Sequence, residues 1–372
     1  MAPTIRRIGV LTSGGDAPGL NAVIRAVVKT AEFEYGWRVV GIEGGFEGLL
    51  TPPKTRNLGL DAIQGLLPRG GTILGSTNKG HFTYIDIDGK LERDPAPYRE
   101  LAQNVRRLGI DALVIIGGEG SQGIASKLSE FGVRAIGVPK TIDNDLYGSD
   151  VTFGFDTALA VATEALDRLH TTAASHNRVM VLEVMGRDAG WIALHSGIGG
   201  GADIILIPEI PFSMDAVVAK VQTRDMLGSN FSIVVVAEGA NEKGGGQIYQ
   251  ETTGTLGGVG NHVGVEIAQR SGKDTRVVVL GHLQRGGVPS PADRILATRF
   301  GAAAVRYLAE GCHSEVVVLS RNEIATVTMA ECAGRVKTVP PEDEMIRTAR
   351  NVGIAFGDED FSPTSLEALE SD

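Results

Sequence analysis

Short apolar runs alternate with longer amphipathic stretches along the whole chain, and this alternation restricts the possible folds more than any other feature. Strands that alternate with helices are typical of βα units and a largely parallel sheet. The clearest strand-like runs are IGVLT (8–12), RVVGI (38–42), DALVIIG (111–117), RAIGV (134–138), RVMVLEV (178–184), DIILIP (203–208), FSIVVVAEG (231–239), RVVVLG (276–281) and EVVVLS (315–320). Segment 155–173 has apolar residues at three- and four-residue spacing, which predicts a helix.

The length of 372 residues predicts about two domains. We therefore predict an α/β protein with two doubly wound domains, largely parallel sheets and a site in the cleft between them. The glycine-loaded stretch 241–262 is predicted to be a loop or insertion, and the acidic segment 358–372 to fray.

Charge and cysteine usage exclude several classes of partner. The net charge of -10 repels a polyanionic backbone, so no nucleic acid is expected as partner. No apolar run is long enough for a membrane span, and the first residues do not resemble an export signal. The two cysteines, Cys312 and Cys332, exclude a disulfide scaffold and a four-thiolate zinc site. We expect a cytoplasmic protein without membrane association.

The first predicted strand leads into LTSGGDAPGLN, where Gly14, Gly15 and Gly19 surround a turn before a predicted helix. Backbone N–H groups and the positive end of a helix attract an anion in such a place. The loop matches neither GxGxxG nor GxxxxGK[ST], and a tight turn without a ligand explains it equally well.

A second glycine-rich loop, GGEGSQG (117–123), follows the strand 111–117. Its glycines let a phosphate approach the backbone, Gly120 leaves room for a bulky ligand, and Glu119 offers a carboxylate to a phosphate-bound Mg²⁺. Ligands of open α/β sheets bind at the carboxyl ends of strands, so two such loops favour a phosphate site.

PKTIDNDL (139–146) follows the next strand. If this segment is extended, Thr141, Asp143 and Asp145 lie on one side and place a hydroxyl beside two carboxylates. Such a trio suits deprotonation of a substrate hydroxyl and binding of a magnesium-bound phosphate, whereas a simple Asx-turn loop is an equal alternative. Lys140 is expected to be a mobile cation beside them.

Basic side chains also stand at the ends of separate predicted strands. Individually they fit surface salt bridges, but Arg forks suit phosphate and together they favour an anionic substrate. They are Arg178, Arg187, Arg276, His282 and Arg285. Glu238, near the end of the strand-like run 231–239, would suit the binding of sugar hydroxyls.

LTSGGDAPGLN, GGEGS, PKTIDND, EVMGR, AEG and LGHLQRGG occur in this order from Ile5 to about Leu319, and together they resemble phosphofructokinases of the bacterial glycolytic type. The resemblance implies an enzyme that transfers a phosphoryl group, with Mg²⁺, to the 1-hydroxyl of fructose 6-phosphate. It implies that Asp143 is the base and that Thr141 and Asp145 position substrate and metal. Arg187 would stabilise the transferring group, and Glu119 stands where most members have Asp.

The resemblance also implies binding sites and an assembly. The donor would be bound by Gly14, Gly15, Asn78, Lys79, Gly118, Glu119, Gly120, Ser121 and Lys140, and Mg²⁺ by Glu119 and Asp145. The sugar phosphate would be bound by Thr141, Asp143, Asp145, Met185, Gly186, Arg187, Glu238, His282 and Arg285. Arg178 and Arg276 would come from a neighbouring subunit of a homo-oligomer, most simply a tetramer. Residues 1–154 and 284–334 would form the donor domain, and 155–283 and 335–372 the fructose 6-phosphate domain.

Gly120 and Lys140 indicate different phosphoryl donors. The glycine at position 120 matches the ATP-using members of the family, since pyrophosphate users tend to have at this position an Asp that fills the space of the α-phosphate. Lys140 resembles pyrophosphate users, while Asn78 and Ile124 depart from the ATP-type pattern. Steric exclusion outweighs an electrostatic preference, so we expect ATP, with pyrophosphate as the alternative.

Two functions of other classes remain as alternatives. A non-catalytic sugar-phosphate sensor would need the arginines but not the base at Asp143. A dinucleotide dehydrogenase is disfavoured because GxGxxG and its acidic ribose partner are missing.

Overall fold

The computed structural model describes residues 5–77, 80–82, 84–87, 90–249 and 256–359. The chain divides into two compact units. The first unit comprises Met1–Ile142, Leu146–Thr157 and Arg285–Lys337. The second comprises Asp143–Asp145, Ala158–Gln284 and Thr338–Asp372.

Strands and helices alternate through most of the described chain. The strands are β1 (Arg7–Thr12), β2 (Arg38–Ile42), β3 (Thr55–Leu58), β4 (Tyr84–Ile87), β5 (Lys90–Arg93), β6 (Ala112–Gly117), β7 (Ala135–Pro139), β8 (Val179–Val184), β9 (Ile204–Leu206), β10 (Ser232–Ala237), β11 (Thr275–Val279), β12 (Glu315–Ser320) and β13 (Glu323–Thr328). The α-helices are α1 (Leu20–Tyr35), α2 (Pro95–Arg107), α3 (Glu119–Ser129), α4 (Phe155–His176), α5 (Trp191–Gly199), α6 (Met214–Met226), α7 (Val259–Ser271), α8 (Pro291–Ala309), α9 (Met329–Cys332) and α10 (Glu344–Asn351).

The first unit contains a sheet with the strand order β13-β12-β7-β6-β1-β2-β3. The strands from β12 to β2 run parallel, and β3 and β13 pair antiparallel at the two edges. Ile8 and Val10 of β1 pack in one core with residues of α1 and α8, whereas Leu11 packs in a second core with residues of α2 and α3. Helices therefore cover both faces, and the central strands are continuous apolar runs because neither face meets water.

The second unit contains a parallel sheet with the order β11-β8-β10-β9. Ile204 of β9 belongs to a core shared with α6 and α7. Ile205 points to the other face, where α5 approaches so closely that a Cβ on Gly197 would lie 2.5 Å from Ile205 Cδ1. This smaller sheet is also covered on both sides.

The predicted α/β class is confirmed, and each apolar run named above forms a strand with ends shifted by a few residues. The helix predicted at 155–173 extends as α4 to His176. The loop predicted at 241–262 is wrong at its end, because α7 begins at Val259; residues 250–255 lie outside the described residues. The tail predicted to fray is described only to Glu359. Among the described helices, none combines the length and apolarity that a bilayer crossing requires.

A two-residue turn joins β12 to β13, since Ser320 pairs directly with Glu323. Its residues, Arg321 and Asn322, have φ angles of 51° and 66°. We expect Asn322→Val to lower the free energy of unfolding by about 1–2 kcal/mol, because a branched side chain is strained in this region, and Asn322→Gly to change it little. Urea denaturation measures both. Equal stability of the Val and Gly variants would contradict the backbone assignment.

Candidate active site

Three loops leave the same edge of the first unit's sheet. Strands β7, β6 and β1 are neighbours, and their parallel registers align Thr12 with Ile116 and Gly117 with Pro139. A glycine-rich loop follows β1, a second glycine-rich loop follows β6, and the segment that begins at Lys140 follows β7. The sheet order thus brings together three motifs that are distant in sequence.

Side chains of two loops meet the glycines of the third. Gly14 has a φ of 80°, and a Cβ there would lie 3.5 Å from Lys140 Nζ and 3.7 Å from Ser121 Oγ. The N–H of Ser13 donates to the carbonyl of Ile116, which fixes the loop after β1 to the end of β6. The positive φ therefore favours glycine at position 14, and an ammonium and a hydroxyl lie close to its backbone.

The loop after β6 forms the N-terminus of α3, with Gly118 as the N-cap. Helix N-termini present N–H groups and partial positive charge to anions. A Cβ on Gly120 would meet no heavy atom within 4 Å, so the space beside this residue is open. The Glu119 carboxylate accepts a hydrogen bond from the N–H of Gly334. The loop therefore offers an anion-attracting end with room for a ligand.

The loop after β7 differs from the prediction in two ways. Asn144 has a left-handed φ of 53°, so the segment is not extended and the simple alternation expected for Thr141, Asp143 and Asp145 is wrong. Lys140 is only 5% exposed, so the expected mobility of its side chain is also wrong. Its enclosure by neighbouring loops makes it a fixed cation. Asp143 and Asp145 are half-buried and are grouped with the second unit.

In the second unit, a different set of residues follows the carboxyl ends of adjacent strands. Met185, Gly186 and Arg187 follow β8, and Glu238 follows β10. The N–H of Gly239 donates to the carbonyl of Gly186 at 3.1 Å. A Cβ on Gly239 would lie 1.8 Å from the carbonyl oxygen of Arg187, so only glycine permits this approach. The exposed guanidinium of Arg187 is therefore carried on a loop packed against the one that carries Glu238.

His282 and Arg285 lie in a short 3-10 helix, Gly281–Arg285, after β11. His282 is exposed and belongs to the second unit, whereas Arg285 is counted with the first. There the Nη1 of Arg285 donates to the carbonyl of Asp16 at 3.2 Å. It would also lie 3.2 Å from a Cβ on Gly15, so this arginine borders the glycine loop after β1.

Arg178 and Arg276 lie at the opposite edge of the second unit's sheet. Arg178 precedes β8, Arg276 is the second residue of β11, and both guanidinium groups pair with Asp274. Partial burial raises the pKa of Asp274, but the hydrogen bonds and charges of the two arginines outweigh it and hold that pKa below its usual value. The six residues of β8 span roughly 20 Å, which separates this cluster from the Arg187 loop.

Two predicted site residues are not described by the structure, and two buried or half-buried polar residues near the loops were not predicted. Asn78 and Lys79 lie outside the described residues. Gln122, which the sequence did not single out, is fully buried, and its Nε2 donates to the carbonyl of Gly117 at 2.9 Å beneath the loop after β6. Glu209, also missed, accepts N–H bonds at the start of α5. A polar residue close to a glycine loop is the one sequence signal that Gln122 offers.

An α/β fold whose glycine loops converge at the carboxyl edge of a parallel sheet defines a phosphate-binding α/β protein. The phosphofructokinase family model matches residues 7–308, so the chain belongs to the phosphofructokinase family. The resemblance noted in the sequence is confirmed.

Individual relatives support this assignment. The chain is 60% identical over 359 residues to the ATP-dependent 6-phosphofructokinase of Chloroflexus aurantiacus, covering 96% of this chain and 100% of that protein. It is 51% identical over 344 residues to the pyrophosphate–fructose 6-phosphate 1-phosphotransferase of Amycolatopsis methanolica, covering 90% and 97%. The crystal structure of a pyrophosphate-dependent phosphofructokinase from Nitrosospira multiformis matches with a TM-score of 0.79 at 25% identity, covering 96% and 93%.

Proposed function

We propose that this protein transfers the terminal phosphoryl group of ATP to the 1-hydroxyl of fructose 6-phosphate, giving fructose 1,6-bisphosphate. The convergence of three loops at the ends of β1, β6 and β7 is the observation that carries the proposal, because it supplies a phosphate-binding surface beside the segment that contains Asp143. The 60% identical relative named an ATP-dependent 6-phosphofructokinase supports the same reaction.

Phosphoryl transfer requires positioning and neutralisation of charge more than covalent catalysis. In the proposed reaction the Asp143 carboxylate accepts the proton of the sugar 1-hydroxyl, the hydroxyl oxygen attacks the γ-phosphorus of ATP, and the bond to the β-phosphate breaks, so that ADP leaves. The guanidinium of Arg187 and the fixed ammonium of Lys140 offset the charge of the phosphoryl oxygens. Glu238, His282 and Met185 contribute to the binding of the sugar phosphate.

Magnesium is the metal implied by this chemistry. Within the described residues there is no group of three or more His, Cys, Asp or Glu side chains that would enclose a cation. Mg²⁺ is usually held by one or two carboxylates together with substrate phosphates, so two carboxylates suffice for it. Glu119 and Asp145 would hold it, and when bound it would neutralise phosphate charge.

Free thiols support a cytoplasmic setting for this reaction. Neither Cys312 nor Cys332 forms a disulfide bond. Burial raises the pKa of the Cys332 thiol to about 11, which makes this thiol unreactive. Thiols of this kind persist in reducing compartments.

Replacement of the proposed base tests the reaction directly. We expect Asp143→Asn to lower kcat by about 10²–10⁴-fold while the KM for fructose 6-phosphate changes little, because the amide fills the same space but accepts no proton. Steady-state assays of fructose 1,6-bisphosphate formation measure both constants. Asp61→Asn, a matched change at an exposed carboxylate, should retain wild-type turnover. Wild-type kcat in Asp143→Asn would refute the role of Asp143.

Pyrophosphate is the second candidate donor. Lys140 and the 51% identical pyrophosphate-using relative favour it. The open space beside Gly120 favours ATP, since a side chain there would project into the region that an inner phosphate needs. The fixed ammonium of Lys140 attracts either donor, whereas a side chain at position 120 would exclude ATP. Because this position is a glycine, we propose ATP.

Substitution at Gly120 separates the two donors. We expect the wild type to have the higher kcat/KM with MgATP, and Gly120→Asp to lose ATP use by at least about 10²-fold because a carboxylate would occupy the open space and repel phosphate. Gly120→Ala is the matched control, since its methyl group meets no neighbour. Thermal unfolding should be unchanged in both variants. A wild type about tenfold better with pyrophosphate would overturn the choice of ATP.

We further propose that a homo-oligomer, most simply a tetramer, is required for activity. Arg178 and Arg276 are held together by Asp274, roughly 20 Å along the sheet from Arg187. This separation supports their donation to the sugar phosphate of a second copy rather than of their own chain.

Mixed oligomers test this arrangement. We expect oligomers of Asp143→Asn and Arg276→Ala subunits to regain activity, because some sites combine an intact base with an intact donated arginine. Oligomers of Arg178→Ala and Arg276→Ala subunits should stay inactive, because every donated pair lacks one arginine. Both are assayed after hybrid formation is verified by native mass spectrometry. No recovery in the first mixture would indicate a site built within one chain.

A further inference from the structure

The loop that carries Arg187 is fixed by hydrogen bonds at three places along its backbone. The carbonyl of Gly186 accepts from the N–H of Gly239 at 3.1 Å, and the carbonyl of Arg187 accepts from Gln247 Nε2 at 2.9 Å. The N–H of Gly190 donates to both carboxylate oxygens of Glu209, at 3.0 and 3.1 Å. The third contact is the one made by a charged side chain.

Glu209 binds the residue immediately before α5. Gly190 is the N-cap residue of α5 and has no side chain with which to cap it. A carboxylate near a helix N-terminus accepts an N–H bond and interacts favourably with the helix dipole. A Cβ on Gly190 would lie 2.4 Å from Ile207 Cβ and 2.9 Å from Glu209 Oε2, so glycine is required for this approach.

The same carboxylate holds a second segment of its unit. Glu209 Oε1 accepts the N–H of Val339 at 2.7 Å. Burial raises the pKa of Glu209, and the N–H groups of Val339 and Gly190 oppose this rise. The carboxylate is therefore partly withdrawn from water, and the backbone of the two segments provides its solvation. Such a buried acceptor is expensive to remove, since its donors lose their partner.

We propose that Glu209 is a positioning residue for Arg187, fixing the start of α5 and through it the loop 185–190. The proposal rests on the proposed function in that Arg187 acts on the transferring phosphoryl group. Displacement of a catalytic group by about 1 Å lowers turnover by up to about 10²-fold, so a loosened loop should affect kcat more than substrate binding.

Glu359 provides a matched control in the same unit. Its carboxylate accepts the N–H groups of Phe356 at 2.8 Å and Gly357 at 2.9 Å, in the C-terminal segment. Glu359→Gln thus removes the charge from a carboxylate that binds two backbone N–H groups and also pairs with Arg350 Nη1 at 3.0 Å. A purely structural role for Glu209 predicts that Glu209→Gln and Glu359→Gln behave alike.

The test compares the full-length wild type, Glu209→Gln, Glu209→Leu and Glu359→Gln. Gln keeps one acceptor oxygen, whereas Leu keeps the approximate volume and no acceptor. We expect kcat to fall about tenfold in Glu209→Gln and up to about 10²-fold in Glu209→Leu, with the KM for MgATP within about twofold of wild type. Glu359→Gln should retain kcat.

Hydrogen exchange of the unliganded protein supplies a readout that does not depend on activity. We expect a peptide covering 185–195 to exchange faster in Glu209→Gln than in the wild type and Glu359→Gln. Wild-type kcat or unchanged exchange in Glu209→Gln would overturn the proposal, and so would equal kcat losses in Glu209→Gln and Glu359→Gln. A wild type that does not phosphorylate fructose 6-phosphate would refute the proposed function instead, and exchange would still decide whether Glu209 holds the loop. If Glu209→Leu fails to fold, the Gln pair decides.

Discussion

Parallel hydrogen bonding between β1, β6 and β7 is the constraint on which the rest of the first unit depends. It places the carboxyl ends of three strands side by side, so the loops that follow them must share one edge of the sheet. The strands remain in this order because helices cover both faces and every residue between Ile8 and Thr12 is buried. The proposed binding of phosphate then depends on what the loops contain, namely glycines, a helix N-terminus and the enclosed ammonium of Lys140.

Buried polar side chains extend this principle from the strands to the loops. Gln122 lies beneath the loop after β6 and bonds the carbonyl of Gly117, whereas Glu209 binds the N–H of Gly190 beside the loop that carries Arg187. Glu209 supplies the partner that the Gly190 N–H needs, because a buried N–H without a partner is costly, whereas Gln122 adds a second donor to a Gly117 carbonyl that already accepts from the N–H of Lys140. The exposed groups proposed to contact substrate therefore lie on loops whose backbone is held by these side chains.

Sequence periodicity predicted most strands of the two larger sheets because buried strands are continuous apolar runs. It missed β4 and β5, and also the edge strands β3 and β13, which are polar or half-exposed, as in TRNL and EIATVT. Alternation could not place Asp143, since the left-handed Asn144 interrupts the extended chain, and composition could not show that neighbouring loops enclose Lys140. Glu209 was missed because one sequence does not distinguish a carboxylate that accepts backbone N–H groups from an exposed one. The amino-end positions of Arg178 and Arg276 could have been inferred, since both stand at the start of their apolar runs.

We propose that the converging loops of the first unit hold the phosphoryl donor. A crystal structure of the protein grown with MgADP tests it most directly, because it locates the β-phosphate relative to named backbone atoms. We expect a β-phosphate at the N-terminus of α3, within hydrogen-bond distance of N–H groups in the segment 118–121 and close to the loop at Gly14. Nucleotide bound with its phosphates elsewhere, while these loops stay empty, would contradict it.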